Sequence, residues 1–323
     1  MSTIKKNLAI GIDIGGTNTC FGIIDTDGHV LERGSIKTKN HPQVESFIDD
    51  LYLSAFPLIE RAGGSGSIVG IGIGAPNGNY YNGTIEHAPN LAWKGIIPFA
   101  KLIGDKFSLP AYLTNDANAA AMGEMKYGAA RNMKDFIMLT LGTGVGSGIV
   151  CNGKLVYGHD GFAGELGHNI IIPGGRYHPG TGAHGPLEMY ASASGVALTA
   201  KELLAQKANE PSLLRNYPID EISSRLVYEC ALKNDRISVE VYNYTGKILG
   251  MAMANFAMFS SPEAIILFGG LVKSGDLIML PTIKSFEENL LKIYQNKIKV
   301  IPSTLFEGDA AILGASALVW DHN

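Results

Sequence analysis

The stretch "GIDIGGTNTCFGIID", Gly11–Asp25, holds the first group of residues suited to chemistry. Gly15, Gly16 and Thr17 offer backbone N–H groups with little side chain in the way, and Thr17 and Asn18 add polar side-chain groups. Successive amides of this kind form a concave nest for anions. The turn contains no lysine, and no GxxxxGK[ST] segment occurs in the chain, so it is not a P-loop. Neutralising a polyphosphate there falls largely to Mg²⁺, and Asp13 is placed to hold that ion through water. Gly142-Thr143-Gly144, within "FIMLTLGTGVGSGIV", is a second turn of the same type. One glycine hairpin is most often only a turn; two matched ones suit a polyphosphate gripped from both sides. Gly269-Gly270, which closes the run "EAIILF", suits a flat adenosine, where backbone must come close.

Elements must carry these turns. Leu8–Ile14 and Cys20–Ile24 read as strands around the first turn. Pro42–Ala62 has helical spacing at Phe47, Leu51, Ala55 and Leu58. Ile68–Gly78 is a strand running into a loop, and Pro110–Asp116 is another strand. Ala117–Tyr127 is a helix closed by Gly128. Strand, Gly/Thr turn and strand recur from Phe136, an internal duplication. A long apolar helix covers Val241–Phe259, Glu263–Val272 is a strand, and a last helix begins near Asp309, which reads as its cap. Strands alternating with helices indicate an α/β protein. Pro173–Pro186 is a loop of Gly, Pro and His. Trp93, Trp320 and the methionines of Met251–Met258 read as packing residues.

A chain of 323 residues predicts two domains. Its forty glycines exceed the usual ~7% and sit in GG, GxG and GAPNG contexts that point to tight turns. The net charge of −4 gives no footprint for nucleic acid or an acidic membrane. Cys20, Cys151 and Cys230 are odd in number and widely spaced, which fits a reducing cytosol. No apolar run approaches the ~18 residues of a membrane span. Lys5-Lys6 before "LAIGI" begins like a signal peptide, but Asp13 interrupts the run and no cleavage site follows.

Six segments, in order, resemble the ROK family of sugar kinases and sugar-responsive repressors within the actin-like ATPase superfamily. They are "GIDIGGTN" from Gly11, "TNDANAAAMGE" from Thr114, "LGTGVGSGIV" from Leu141, "GFAGELGH" from Gly161, "GPLEMYAS" from Gly185 and "LFGG" from Leu267. The resemblance implies two actin-like (ribonuclease H-like) α/β domains flanking a central cleft: residues 1–126 with 309–323, and 127–308. It implies ATP and Mg²⁺ as cofactors, a hexose substrate and a homodimer. It makes Asp116 the catalytic base and Asn115, Glu165, His168 and Glu188 the sugar contacts, with Asn90 on the sugar-side wall. It assigns ATP to Asp13, Gly15, Gly16, Thr17, Asn18, Gly142, Thr143, Gly144, Gly269 and Gly270.

A sugar hydroxyl is a poor nucleophile at neutral pH, and a carboxylate in reach can take its proton. Asp116 follows a strand and precedes a helix, where α/β proteins bind ligands; by position alone it reads as an N-cap, and both roles are compatible. Glu165, Glu188, Asn115 and His168 supply the donors and acceptors a polyol needs. Closure of the two domains on the sugar is expected to exclude water. Glucose is the expected acceptor, with N-acetylhexosamine or fructose as alternatives. A repressor is not expected, with ten residues before Gly11 and no basic segment, and the retained Asp116 speaks against a non-catalytic sensor. Many members of the family bind structural zinc through a CxCGxxGC segment and the histidine of the GELGH motif. Here Pro179, Thr181 and Pro186 stand in place of the cysteines. His168, His178 and His184 offer nitrogen but no thiolate, so no zinc is expected.

Overall fold

The computed structural model describes residues 7–322; the Lys5-Lys6 pair lies outside them. The chain divides into two compact units. The first takes in the residues up to Met133, Gly148–Gly164 and those from Ser303 onward; the second takes in Lys134–Ser147 and Glu165–Pro302.

In the first unit, β1 (Leu8–Ile14), β2 (Thr19–Asp25), β3 (Val30–Ile36), β4 (Ile68–Gly74) and β8 (Ala111–Thr114) make a sheet of order β3-β2-β1-β4-β8. β1, β4 and β8 run parallel, while β2 is antiparallel to both of its neighbours. A small antiparallel sheet joins β5 (Gly78–Asn79), β6 (Thr84–Glu86) and β7 (Ile96–Ile97). The helices are α1 (Val44–Arg61), α2 (Phe99–Phe107), α3 (Asp116–Tyr127) and α9 (Glu307–Asp321). Phe47, Trp93 and Phe99 stack in one core cluster with the apolar faces of β1 and β4.

Glycine serves packing here as much as turns. At Gly11 and Gly72 a Cβ would strike the backbone carbonyls of Ile312 and Ala315, because α9 lies directly on β1 and β4. α9 starts two residues before Asp309, with Phe306 as its cap, and Asp309 pairs with Arg33 at 3.0 Å. The cap reading of Asp309 is thus corrected: the helix takes a backbone entry without a side-chain cap, and Arg33 claims the carboxylate.

The second unit carries β9 (Phe136–Leu141), β12 (Ala264–Phe268) and β13 (Lys299–Pro302), which are parallel. The strand order is β11-β10-β9-β12-β13, with β10 (Val145–Cys151) and β11 (Lys154–Leu155); of these two, the residues from Gly148 on are counted with the first unit. The helices of the second unit are α4 (Glu188–Ala191), α5 (Ala193–Gln206), α6 (Ser224–Ala231), α7 (Arg236–Ser260) and α8 (Asp276–Asn289). α7 brings Gly246 and Gly250 against Pro281 and Thr282 of α8. Met253 is fully buried in α7, but Met258 is 37% exposed and is not a core residue. Among the described residues, no helix is long and apolar enough to cross a membrane.

Candidate active site

Strand register sets the first group. Asp13 pairs with Gly74, and Gly74 with Thr114, so the three stand in a row at the C-terminal ends of parallel strands. A methyl group on Gly74 would lie 3.6 Å from Asp116 Cα and 3.8 Å from Asp13 Oδ1, so the two acids bracket this glycine. Asn115, not Asp116, is the N-cap of α3: its Oδ1 accepts from the Asn118 N–H at 2.6 Å. Asp116 is the first helical residue and its Oδ1 accepts from the Ala117 N–H at 2.8 Å. Two adjacent cap-type side chains compete for one position, and the residue in the extended conformation takes it.

Burial, reinforced by the charge of Asp116, pushes the Asp13 carboxyl up to about 7. Asp116 itself meets solvent over part of its surface, yet burial of its carboxyl raises it above the ordinary range, against the lowering effect of the Ala117 N–H. Among the described residues, no neighbouring cation offsets either rise.

The first glycine turn closes with the Gly15 N–H donating to Asn18 O at 3.0 Å and leaves Thr17 and Asn18 exposed. Gly16 comes so near Asn90 that a Cβ would lie 2.6 Å from the Asn90 carbonyl oxygen. The turn and the sugar-wall candidate are therefore neighbours. Lys37 joins them from the end of β3, donating from Nζ to Asn18 Oδ1 at 2.7 Å. The turn itself carries no lysine, and Lys37 is not legible as its neighbour from sequence. It arrives from nineteen residues away with no motif around it.

In the second unit, Glu188 opens α4. Its Oε2 accepts from the Val145 N–H at 2.7 Å and its Oε1 lies 2.9 Å from His178 Nε2. Gly144 is pressed against the same carboxylate, and a Cβ there would collide with it. Glu165 caps the single turn Leu166–His168, and His168 Nε2 lies 3.8 Å from Glu165 Oε2. The rings of His168 and His178 meet edge-on with centroids 5.4 Å apart.

A cavity of about 590 Å³ opens beside Gly142, Thr143 and Gly270, walled by Tyr228, Tyr242, Leu271, Arg225, Glu229 and Lys273. A Cβ on Gly142 or Gly270 would meet nothing within 4 Å. Packing therefore leaves space over both backbones, which suits a ligand lying on them. Gly269 has φ +107° and presses on Leu141, so the turn into this cavity demands glycine. Tyr228, Arg225 and Lys273 were not legible, because α6 and the segment after Gly270 carry no motif.

The zinc position does not fit a zinc ion. Pro179, Thr181 and Pro186 cannot replace thiolates. Both nitrogens of His178 are engaged, Nδ1 with Thr181 and Nε2 with Glu188, and His184 Nδ1 turns to Gly175 O at 3.1 Å. The loop is tied down by Arg176 instead. Its guanidinium bonds Glu202, Met189 O and Thr199, and lies 4.5 Å from the centre of the Tyr190 ring. Among the described residues, Asp25, Asp27 and His29 are the group with ligand atoms close enough to share an ion, and none of them belongs to this loop.

The ROK family model matches residues 9–322. The chain belongs to the ROK family. A glucokinase of Halalkalibacterium halodurans is 33% identical over 315 residues, 96% of this chain and 94% of that one. A glucokinase of Streptomyces coelicolor is 32% identical over 96% of this chain and 97% of its own. Among solved structures, a ROK glucokinase from Streptomyces griseus in complex with glucose and AMPPNP superposes with a TM-score of 0.79. It shares 32% identity, with 97% of this chain and 99% of that chain covered. The ROK chain described here thus shares both sequence and fold with sugar kinases along nearly its whole length, as the actin-like α/β reading expects.

Proposed function

We propose that this ROK chain is an ATP-dependent hexose kinase that moves the γ-phosphoryl of ATP to the 6-hydroxyl of a hexose, with glucose the favoured acceptor. The observation that carries the reading is the pair Asp13, near the end of β1, and Asp116, at the start of α3, which bracket Gly74 with both carboxyls raised. A general base works best with a pKa near the operating pH, and burial moves Asp116 in that direction. Asp116 takes the hydroxyl proton as the sugar oxygen bonds to the γ-phosphorus; the bond from that phosphorus to the bridging oxygen breaks, and ADP leaves. The glucokinase relatives and the AMPPNP-bound neighbour support this reading.

Each further residue has a role the geometry allows. Asn115 spends Oδ1 on the helix cap and keeps its two N–H donors for the sugar. Asn90, Glu165, His168 and Glu188 supply further donors and acceptors. The amides of Gly16 and Thr17 and those of Thr143 and Gly144 bind phosphate oxygens, with Asn18 and Lys37 beside the first set, while the Gly15 and Gly142 N–H groups close the two turns at 3.0 Å and fix their shape. Gly269 and Gly270 border the adenosine, and Tyr228 walls the cavity beside it. Two neighbouring acids with raised carboxyls fit a divalent metal, and Asp13 is the residue that would hold Mg²⁺. That ion, when bound, draws charge from the phosphates. A homodimer belongs to the same reading on the family resemblance, and a cytosolic location on the odd, widely spaced cysteines.

Coupled ADP release with Mg-ATP tests it against glucose, mannose, fructose, glucosamine, N-acetylglucosamine and N-acetylmannosamine. Glucose is expected to give the highest kcat/KM. Another sugar in first place would change the substrate but not the chemistry, while no sugar-dependent ADP release would end the kinase reading.

A further inference from the structure

Glu188 has one oxygen held by the Val145 N–H at 2.7 Å. That bond alone leaves the carboxylate free to turn about its last torsion, which is a broad rotor. The second oxygen lies 2.9 Å from His178 Nε2, and both side chains are largely buried, 13% exposed for His178 and 22% for Glu188. The imidazole is itself fixed. The Thr181 N–H donates to Nδ1 at 3.1 Å, and Thr181 Oγ1 lies 2.9 Å from the same nitrogen. Since Nδ1 accepts the amide hydrogen, the ring hydrogen lies on Nε2 and is donated to Glu188. Backbone bonds between His178 and Ala183 and from Gly182 to His178 close the turn that presents the ring.

We propose that His178 is a positioning residue for hexose binding, holding the Glu188 carboxylate in the orientation that receives sugar hydroxyls. The proposal rests on the sugar-kinase reading. An ionised carboxylate has about four acceptor sites, and the two bonds described use one on each oxygen, leaving the others for hydroxyls. Fixing the rotor before the sugar arrives lowers the ordering cost of binding. A histidine–threonine turn thereby organises this loop by hydrogen bonds, at a place where the residues do not fit zinc.

The test is steady-state kinetics of the wild type, His178→Ala and His178→Gln, with thermal melting of each. Loss of a hydrogen bond to a charged group predicts a rise of about tenfold or more in the KM for glucose in His178→Ala. The KM for ATP should stay within about twofold, because the variant keeps the Val145 N–H bond to Glu188 that adjoins the Gly142–Gly144 turn. Glutamine keeps an amide donor near the Nε2 position and should restore most of the glucose KM. A loop fastener without a role toward the sugar would instead lower Tm and move both KM values together, or leave both unchanged; either result overturns the proposal. So does failure of His178→Gln to restore the glucose KM, and this arm stands even where the alanine variant does not fold. Stoichiometric zinc in the wild type, lost from the variants, would also overturn it by making the imidazole a ligand. Turnover of the wild type in the same series reports separately on the kinase reading: an active wild type with an unaffected variant defeats His178 alone, and an inactive wild type defeats both.

Discussion

Asp116→Asn is expected to lower hexose-dependent turnover at least ~100-fold, the share a positioned general base commonly supplies, while the KM for ATP stays nearly constant. The variant is a clean test because Asn115 caps α3. The asparagine at position 116 keeps an oxygen for the Ala117 N–H, so Tm should not fall. Turnover within about threefold of wild type would remove Asp116 from the chemistry. A comparable loss accompanied by a large drop in Tm would mean that the residue holds the helix rather than the proton.

Asp13→Asn is expected to raise stability in the absence of nucleotide and metal while abolishing most activity. The sign follows from proton binding. The carboxyl titrates near 3.8 in the unfolded chain and at about 7 in the folded one, so between those values the folded state binds more protons. Stability then falls as pH rises through that window. Above about pH 7 the cost of the buried charge is fully present, on the order of 2–4 kcal/mol from the size of the rise; below pH 4 it is absent. The asparagine variant should therefore melt several degrees higher than wild type at pH 8 and match it near pH 4. Magnesium alone should narrow the gap at pH 8 by stabilising the wild type. Equal melting temperatures at pH 8 would show that Asp13 is not a strained acid.

Much of this arrangement was legible because local pattern and local chemistry agree there. The run from Leu8 to Asp25 reads directly as strand, turn, strand, and it forms β1 and β2. β3 is not legible, since "VLERGSI" at a sheet edge alternates half-buried and exposed positions without an apolar face. The strands β5, β6 and β7, two or three residues each, are too short to show a period at all. The glycines were read as turn formers, and several are. Gly11 and Gly72 instead admit the backbone of α9, a contact made across more than two hundred residues of chain that no local window contains.

The candidate site residues divide the same way. Asp13, Gly16 and Asn115 stand in motifs whose spacing carries meaning. Lys37 and His178 meet the candidate residues only through long-range or loop contacts. His178 was read only as a candidate metal ligand, because sequence shows that it carries nitrogen donors and does not show that Thr181 and Glu188 occupy both of them.

The most direct measurement is the structure of the product. Wild-type protein incubated with Mg-ATP and ¹³C-labelled glucose, followed by phosphorus–carbon correlated NMR, is predicted to show a phosphoester at carbon 6 with one ADP formed per sugar phosphate. Phosphate on another carbon, or ADP accompanied by free inorganic phosphate and unchanged glucose, would contradict the account.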